Sequence, residues 1–222
     1  MNLCLFDLDH TLLPLDSDHE FGEFLIRQGL ADPVDYRQRN DGFYQQYCDG
    51  TLVLDDYIAF TTSIWRQLDS AGQSALQQAF MDEVIFPAMH PQALELVERH
   101  RAMGDVLAIV TATNEFVTRP IADAFNVADL LAVRLVRDGQ GRVTGQIDGV
   151  PSFREGKITR VEQWLAEQGR QLGDFDRVSF YSDSPNDLPL LERASDPVAT
   201  NPSPALEAVA QERGWRILRL FA

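Results

Sequence analysis

Four aspartates in two pairs raise the chemical question. Asp7 and Asp9 stand two apart just after a short apolar run at residues 2–6, and Asp183 and Asp187 stand four apart just after the run RVSFYS. Their neighbours are buried-strand sequences, which puts these acids at strand ends instead of surface turns. Four carboxylates brought together repel one another severely without a counter-charge. A hard divalent cation supplies one. Magnesium (Mg2+) suits the case, because it takes one or two carboxylates and completes its octahedron with waters and substrate phosphate. A carboxylate beside such an ion can act as a nucleophile and form an aspartyl-phosphate.

That chemistry needs further parts. Phosphoryl oxygens want hydrogen-bond donors, for which Thr111, Asn186 and strand-end backbone amides are available. Asn114 is a further phosphate-site candidate, equally suited to capping a helix that begins at Glu115. A lysine must hold nucleophile and phosphate together, and Lys157, in REGKITR at a helix start, is the best placed. It is not a P-loop lysine: the G-x-x-x-x-G-K spacing fails at Pro151, and Ile158 fills the Ser/Thr position. Asp9, two residues beyond Asp7 across a turn, can protonate a leaving oxygen and then activate a water.

Such residues have to be carried to one place. The run at 2–6 reads as a buried strand. From residue 17 onward HEFGEFLIRQG, DYRQRNDGFYQQYCDG, LDDYIAFTTSIWRQL and QSALQQAFMDEVI space their apolar side chains by three and four. These are amphipathic helices separated by Gly29, Gly50 and Gly72, with Phe43, Tyr44, Tyr47, Tyr57, Phe60 and Trp65 as helix–helix packing. After Pro91 helices alternate with strands, including VLAIVTATN, a pair of strands at 132–137 and 142–147 around a Gly-rich turn, RVSFYS, PVATN and WRILRLF; KITRVEQWLAEQG is a helix with Trp164 on its apolar side. The alternation implies an α/β fold: a Rossmann-like, mostly parallel sheet with helices on both faces, plus an inserted helical cap subdomain. The division expected is 1–16 and 87–222 for the core and 17–86 for the cap. Ligands of such sheets gather beyond the carboxyl ends of the strands, where Asp7 and Asp9, residues 111–114, and Asp183 and Asp187 all fall.

The chain has 222 residues, 45% of them hydrophobic, enough for one substantial core. Its 19 Lys+Arg against 34 Asp+Glu leave a net charge of −15, which excludes nucleic acid as a partner and disfavours an anionic membrane. A small anionic substrate is not excluded, since a metal reverses the field inside one pocket. The 2 cysteines, Cys4 and Cys48, make no disulfide framework. The opening MNLCLFDLDHTLL has neither a basic leader nor an unbroken apolar stretch, and no apolar run is long enough to span a bilayer, so a cytoplasmic location is expected. Oligomeric state is left open between monomer and homodimer.

The segments DLDHTLLPLD (7–16), VTATN (110–114), GK (156–157) and SDSPNDLPLL (182–191) resemble the four ordered motifs of the haloacid dehalogenase-like hydrolases. The branch they most resemble is the phosphoserine phosphatase-like one, with a helical cap between the first and second motifs. The resemblance implies a magnesium-dependent phosphomonoester hydrolase. Asp7 is then nucleophile and metal ligand, and Asp9 is the general acid/base with its carbonyl on the metal. Thr11 braces the first loop, Thr111 holds the phosphoryl group and Lys157 pairs with Asp7 and phosphate. Asp183 ligates the metal, Asp187 supports it directly or through water, and Asn186 helps bind phosphate. The second aspartate of the first motif favours phosphoester hydrolysis, because haloalkanoate dehalogenation needs no leaving-group acid there. Ser182 stands where many relatives have glycine.

The substrate implied is a small phosphomonoester. In phosphoserine phosphatases an acid nine residues after the nucleophile takes the substrate ammonium; that position here is Asp16. LDSDHEFGEFL also resembles bacterial members of the branch that act on histidinol phosphate, an amine-bearing ester of amino-acid biosynthesis, whose amine Asp16 or Asp18 would pair. No arginine is identifiable to grip a phosphoserine carboxylate, although Arg37, Arg39 and Arg66 stand in the cap. This tilts the expectation toward histidinol phosphate, with phosphoserine, or a phosphotransferase or phosphomutase using the same intermediate, as alternatives.

Overall fold

The computed structural model describes residues 1–221. Strand β1 (Asn2–Phe6) lies inside a 6-stranded sheet, paired in parallel with β2 (Val106–Asn114) on one side and β6 (Arg177–Ser182) on the other. Strand β3 (Asp129–Val133) extends the sheet beyond β2, and β7 (Asp196–Thr200) and β8 (Arg216–Leu218) extend it beyond β6, all in parallel. The chain winds outward from β1 to β3 and then crosses to β6, so the winding reverses between β1 and β6. That reversal opens a crevice at the strands' carboxyl ends.

Alternation along the strands explains why both faces are covered. Leu3 and Leu5 of β1, Ala108 and Val110 of β2 and Phe180 of β6 join one buried cluster; Cys4, Phe6, Ile109 and Tyr181 join the other. The first is covered by α8 (Glu155–Glu167), α9 (Leu188–Leu191) and α10 (Pro204–Arg213), through Val161, Leu165, Leu191 and Leu206. The second is covered by α6 (Pro91–Ala102), α7 (Glu115–Ala124) and the helices inserted after β1. Trp164 is buried on the inner side of α8, and its indole Nε1 donates to Asp129 (3.0 Å).

Between β1 and β2 the chain is helical, an inserted subdomain on the core sheet. Its elements are α1 (Ser17–Arg27), α2 (Asp35–Cys48), α3 (Leu54–Thr61) and α4 (Ser70–Phe80). Helix α4 widens into a π-helical turn at Met81–Ile85 before the short α5 (Phe86–Ala88). Gly72 does not separate helices as expected; it lies in the first turn of α4, and its N–H donates to Asp69 (2.8 Å), which caps the helix. The break therefore falls ahead of Asp69, where a side-chain acceptor replaces the missing backbone partner.

The strand expected at 132–137 is two. Residues up to Val133 stay in the main sheet, and the chain leaves it at Arg134 to form an antiparallel hairpin of β4 (Leu135–Arg137) and β5 (Val143–Ile147). The hairpin packs against α3 of the insertion, which is why a continuous apolar run changes sheets without a turn residue. Cys4 and Cys48 are both free thiols. Among the described residues no helix is long and apolar enough to cross a membrane.

Candidate active site

The register of the sheet assembles the site. Phe6 pairs with Tyr181, and the Asp7 N–H donates to the Tyr181 carbonyl (2.9 Å), so β1 and β6 end side by side. Asp7 follows the first strand and Asp183 the second. The turn Pro185–Asp187 is capped by Ser184, whose side chain accepts from the Asn186 N–H, and it swings Asp187 inward.

Lys157 arrives from the first turn of α8 and is only 1% exposed. Its ammonium donates to Asp7 Oδ1 (2.8 Å) and Asp187 Oδ2 (2.7 Å). Two carboxylates outweigh the opposing effect of burial and hold the ammonium above its ordinary range. Burial pushes the Asp7 carboxyl up to about 7 against the pull of Lys157, and the Asp187 charge adds to the rise. The preceding loop is tightly built: Arg154 adopts φ 51°, and a Cβ on Gly156 would lie 2.1 Å from the Pro151 carbonyl oxygen. Only glycine permits that close approach.

Asp9 accepts from the Ser17 N–H and from Thr113 Oγ1, both at 2.8 Å, and burial followed by repulsion from Asp16 lifts its carboxyl to about 6. Thr111 is buried in the carboxyl-terminal half of β2, its oxygen accepting from the Thr113 N–H (3.1 Å). Thr11 Oγ1 donates to Asp183 Oδ1 (3.3 Å). Burial, then the charges of Asp7 and Asp187, push the Asp183 carboxyl well above the ordinary range.

Other expected residues are engaged differently. Asp187 Oδ2 accepts from both Lys157 and Ser182 Oγ (2.7 Å), so this oxygen serves the lysine. The buried Asn114 caps α7 by accepting from the Phe116 and Val117 N–H groups, and its amide points to Asp18 (3.4 Å). Asn186 Nδ2 donates to the Tyr47 carbonyl (3.2 Å), a tie between the last motif and the cap. Asp16 caps α1 through the N–H groups of Asp18 and His19. Asp18 has a buried Oδ2 without a hydrogen-bond partner, and burial plus repulsion from Asp16 and Asp9 raise its carboxyl to about 8.

A narrow cavity of about 30 Å³ lies over these groups. Asp7, Asp9, Asp16, Asp18, Thr111 and Thr113 form its floor and one wall. Phe43, Tyr44 and Tyr47 of α2, Tyr57 of α3 and Phe153 line it as well, with Leu52, Leu54 and Ala112. Four of those aromatics were expected only to pack helix against helix, because the spacing of a pocket wall on a helix is the same as that of a core face. Thr113 also escaped notice, and Ser182 was marked only as standing in place of a glycine, since a hydroxyl at a strand end carries no distinctive spacing.

Comparison with known proteins settles the family. The model of the haloacid dehalogenase-like hydrolases matches residues 4–192. The chain belongs to the haloacid dehalogenase-like hydrolases. This hydrolase is 40% identical over 217 residues to the histidinol-phosphatase of Neisseria meningitidis serogroup C, covering 98% of each chain. A crystal structure of a Bordetella pertussis Tohama I protein of unknown function superposes with a TM-score of 0.93 at 49% identity, over 99% of both chains. A substrate-bound phosphoserine phosphatase shares the fold at a TM-score of 0.67 and 18% identity, over 97% of this chain and 91% of that one. Membership makes the protein an enzyme of the haloacid dehalogenase-like phosphatase class.

The donor set suits a hard cation. Lys157 engages Oδ1 of Asp7 alone, and Asp183 has only a threonine hydroxyl against two neighbouring carboxylates. Among the described residues no three His, Cys, Asp or Glu side chains are grouped tightly enough to enclose a metal by themselves. Two carboxylates with the remaining positions left to water and substrate is the pattern magnesium prefers.

Proposed function

We propose that this hydrolase removes the phosphoryl group from a small amine-bearing phosphomonoester, histidinol phosphate in preference to phosphoserine, through an aspartyl-phosphate on Asp7. The observation that carries the substrate choice is the lining of the cavity, which contains acids and aromatics and no basic side chain. Arg37 pairs with Glu23, Arg39 lies over the Phe60 ring, and Arg66 donates to the Thr144 carbonyl. A substrate carboxylate therefore finds no cation there. A substrate with an ammonium and an aromatic ring finds Asp18 and a wall of tyrosines. The likeness to the Neisseria histidinol-phosphatase supports the same reading.

In the first step an Asp7 carboxylate oxygen attacks phosphorus as the ester P–O bond breaks, and Asp9 gives its proton to the departing alkoxide. In the second, Asp9 takes a proton from a water that attacks the phosphoryl group, releasing inorganic phosphate and restoring Asp7. Asp9 suits both tasks because its carboxyl, at about 6, holds or yields a proton near neutrality. Lys157 favours the ionised form of Asp7 against burial and offsets charge as the phosphoryl group arrives, while the Thr111 hydroxyl donates to a phosphoryl oxygen. Asp7, Asp183 and the Asp9 carbonyl would hold magnesium, with Asp187 supporting the ion through the lysine network. When bound, the ion screens the nucleophile from the anionic phosphoryl group and polarises its oxygens.

Asp18 is the better placed of the two candidate amine partners, because an oxygen of Asp16 is already used to cap α1. An ammonium beside the unpartnered oxygen of Asp18 would bring its carboxyl down and satisfy it. A cavity of about 30 Å³ holds little more than water, so α2 and α3 must part from the core to admit substrate. The deciding measurement is phosphate release with magnesium over histidinol phosphate, phosphoserine, sugar phosphates and nucleoside monophosphates. Histidinol phosphate should show the highest kcat/KM by at least tenfold; an even spread of weak rates, or a preference for phosphoserine, would defeat the assignment.

A further inference from the structure

A second, larger cavity lies at the β3 edge of the sheet and shares no lining residue with the first. Its volume is about 610 Å³, within the range of small-molecule sites. In a chain of net charge −15, its wall gathers the guanidinium groups of Arg119 on α7, Arg134, Arg137 on β4 and Arg160 on α8, with Glu115 as the one carboxylate. Ser70 and Ser74 of α4 line the opposite side, so the cavity bridges the inserted helices and the core.

Three of these arginines have work of their own. Arg119 pairs with Asp123 (2.8 Å) and donates to the Val127 and Ala128 carbonyls. Arg134 lies 3.5 Å from Asp148, and Arg137 3.5 Å from Glu115. Arg160 differs. It is 8% exposed and forms no hydrogen bond or ion pair among the described residues; its Nε is buried without a partner, as is that of Arg119, but Arg119 spends its terminal nitrogens on Asp123 and two carbonyls and Arg160 spends none. Burial and the Arg134 charge push its guanidinium below the ordinary range. An arginine that serves the architecture spends its fork on carbonyl oxygens, as the partly exposed Arg101 does with the Phe125 and Asn126 carbonyls. A guanidinium that is partly desolvated and has no such partner is left uncompensated unless an anion meets it from the cavity.

We propose that this cavity binds a compact small molecule carrying two or more carboxylate or phosphoryl charges, gripped by Arg160 with Arg134 and Arg137. The planar fork of arginine matches both oxyanion types in two-point fashion. The concavity favours a small molecule over a macromolecular polyanion, which the acidic remainder of the surface would repel.

The test is a titration of the full-length, magnesium-loaded protein with sulfate, a tetrahedral dianion, and with citrate, a tricarboxylate. Free magnesium is held constant, and chloride at matched ionic strength is the control. Trp65 reports on the site, because its ring stacks on the cavity-lining Phe116 at 3.7 Å. Saturable change in tryptophan emission is expected with at least one of the two anions, and its identity distinguishes phosphoryl-type from carboxylate ligands. The midpoint should weaken at least tenfold in Arg160→Gln, while phosphate release without added anion stays within twofold of wild type. The anion should raise the wild-type Tm and leave that of Arg160→Gln unmoved. The exposed double variant Arg134→Gln/Arg137→Gln provides the same comparison should Arg160→Gln fold poorly. Absence of saturation by both anions, or equal midpoints in wild type and variants, overturns the proposal.

Discussion

Replacing Lys157 by methionine tests how the site manages its own charge. The methionine keeps most of the buried volume and removes the ammonium, leaving Asp7 and Asp187 facing each other with neither the 2.8 Å nor the 2.7 Å contact. Breaking a buried ion pair by removing one partner costs about 3–5 kcal/mol, because the charge left behind is desolvated and uncompensated. For a chain of this length that corresponds to a fall in Tm of about 6–20 °C. Activity should fall for a separate reason. Loss of a neighbouring cation raises a carboxyl by about 1–3 pKa units, and Asp7 already sits at about 7 and is half ionised at neutrality, so the ionised nucleophile becomes roughly 5- to 500-fold scarcer there. The two effects separate in the double variant Lys157→Met/Asp187→Asn. With one stranded carboxylate made neutral, part of the lost stability should return while turnover stays lost. Calorimetric or fluorescence melting with a phosphate-release assay reads both. A Lys157→Met protein within 2 °C and twofold of wild type would refute the reasoning, as would a double variant whose stability losses simply add.

Three further outcomes follow from particular contacts. Asp18→Asn should raise KM for amine-bearing esters at least tenfold and change kcat/KM for an amine-free ester such as p-nitrophenyl phosphate by less than threefold; equal losses on both substrates would assign Asp18 to structure. Gly156→Ala should lower Tm and turnover together, because the added Cβ meets the Pro151 carbonyl at 2.1 Å and displaces the turn that delivers Lys157; an alanine variant with wild-type kcat would show that the loop is free to shift. Removal of divalent metal with a chelator should abolish phosphate release, with recovery on adding magnesium, and activity persisting in excess chelator would remove the metal from the proposed chemistry.

What could be read in advance depended on whether local pattern and tertiary partner coincide. Asp7, Thr111 and Asp183 were legible because each follows the apolar run of a buried strand, and a parallel sheet aligns the ends of such runs on one edge. Lys157 was legible because an α8 start offers the one lysine that chemistry required. The aromatics of α2 and α3 were not, since Phe43, Tyr44, Tyr47 and Tyr57 recur at spacings that serve a core and a pocket equally well. Which they become depends on what lies across from them. The sheet change at Arg134 was hidden by LLAVRLV, where both strands are apolar and no turn residue intervenes; packing of the hairpin on α3 decides it. Asn114 was recognised as a possible cap, and its side chain is engaged in capping α7.

The placement of the acids follows from strand register more than from any one side chain. Because Asp7 N–H donates to the Tyr181 carbonyl, the loops after β1 and β6 leave the sheet from adjacent points, and the carboxylates of Asp7 and Asp183 are obliged to be neighbours. The repulsion this creates is resolved from outside the two strands. Lys157 comes from a loop held by Arg154 at φ 51° and by the Gly156 approach to Pro151, while Ser182 donates to Asp187 Oδ2 and Thr11 to Asp183 Oδ1. Ser182, at the end of β6, therefore has a defined part in this network. Its hydroxyl holds Asp187 Oδ2, the same oxygen that Lys157 uses, and so fixes the angle from which the lysine can reach Asp7. A residue without a hydroxyl at 182 would leave the charge count of the site unchanged and loosen its geometry, so its effect belongs in kcat before it appears in stability or in metal affinity.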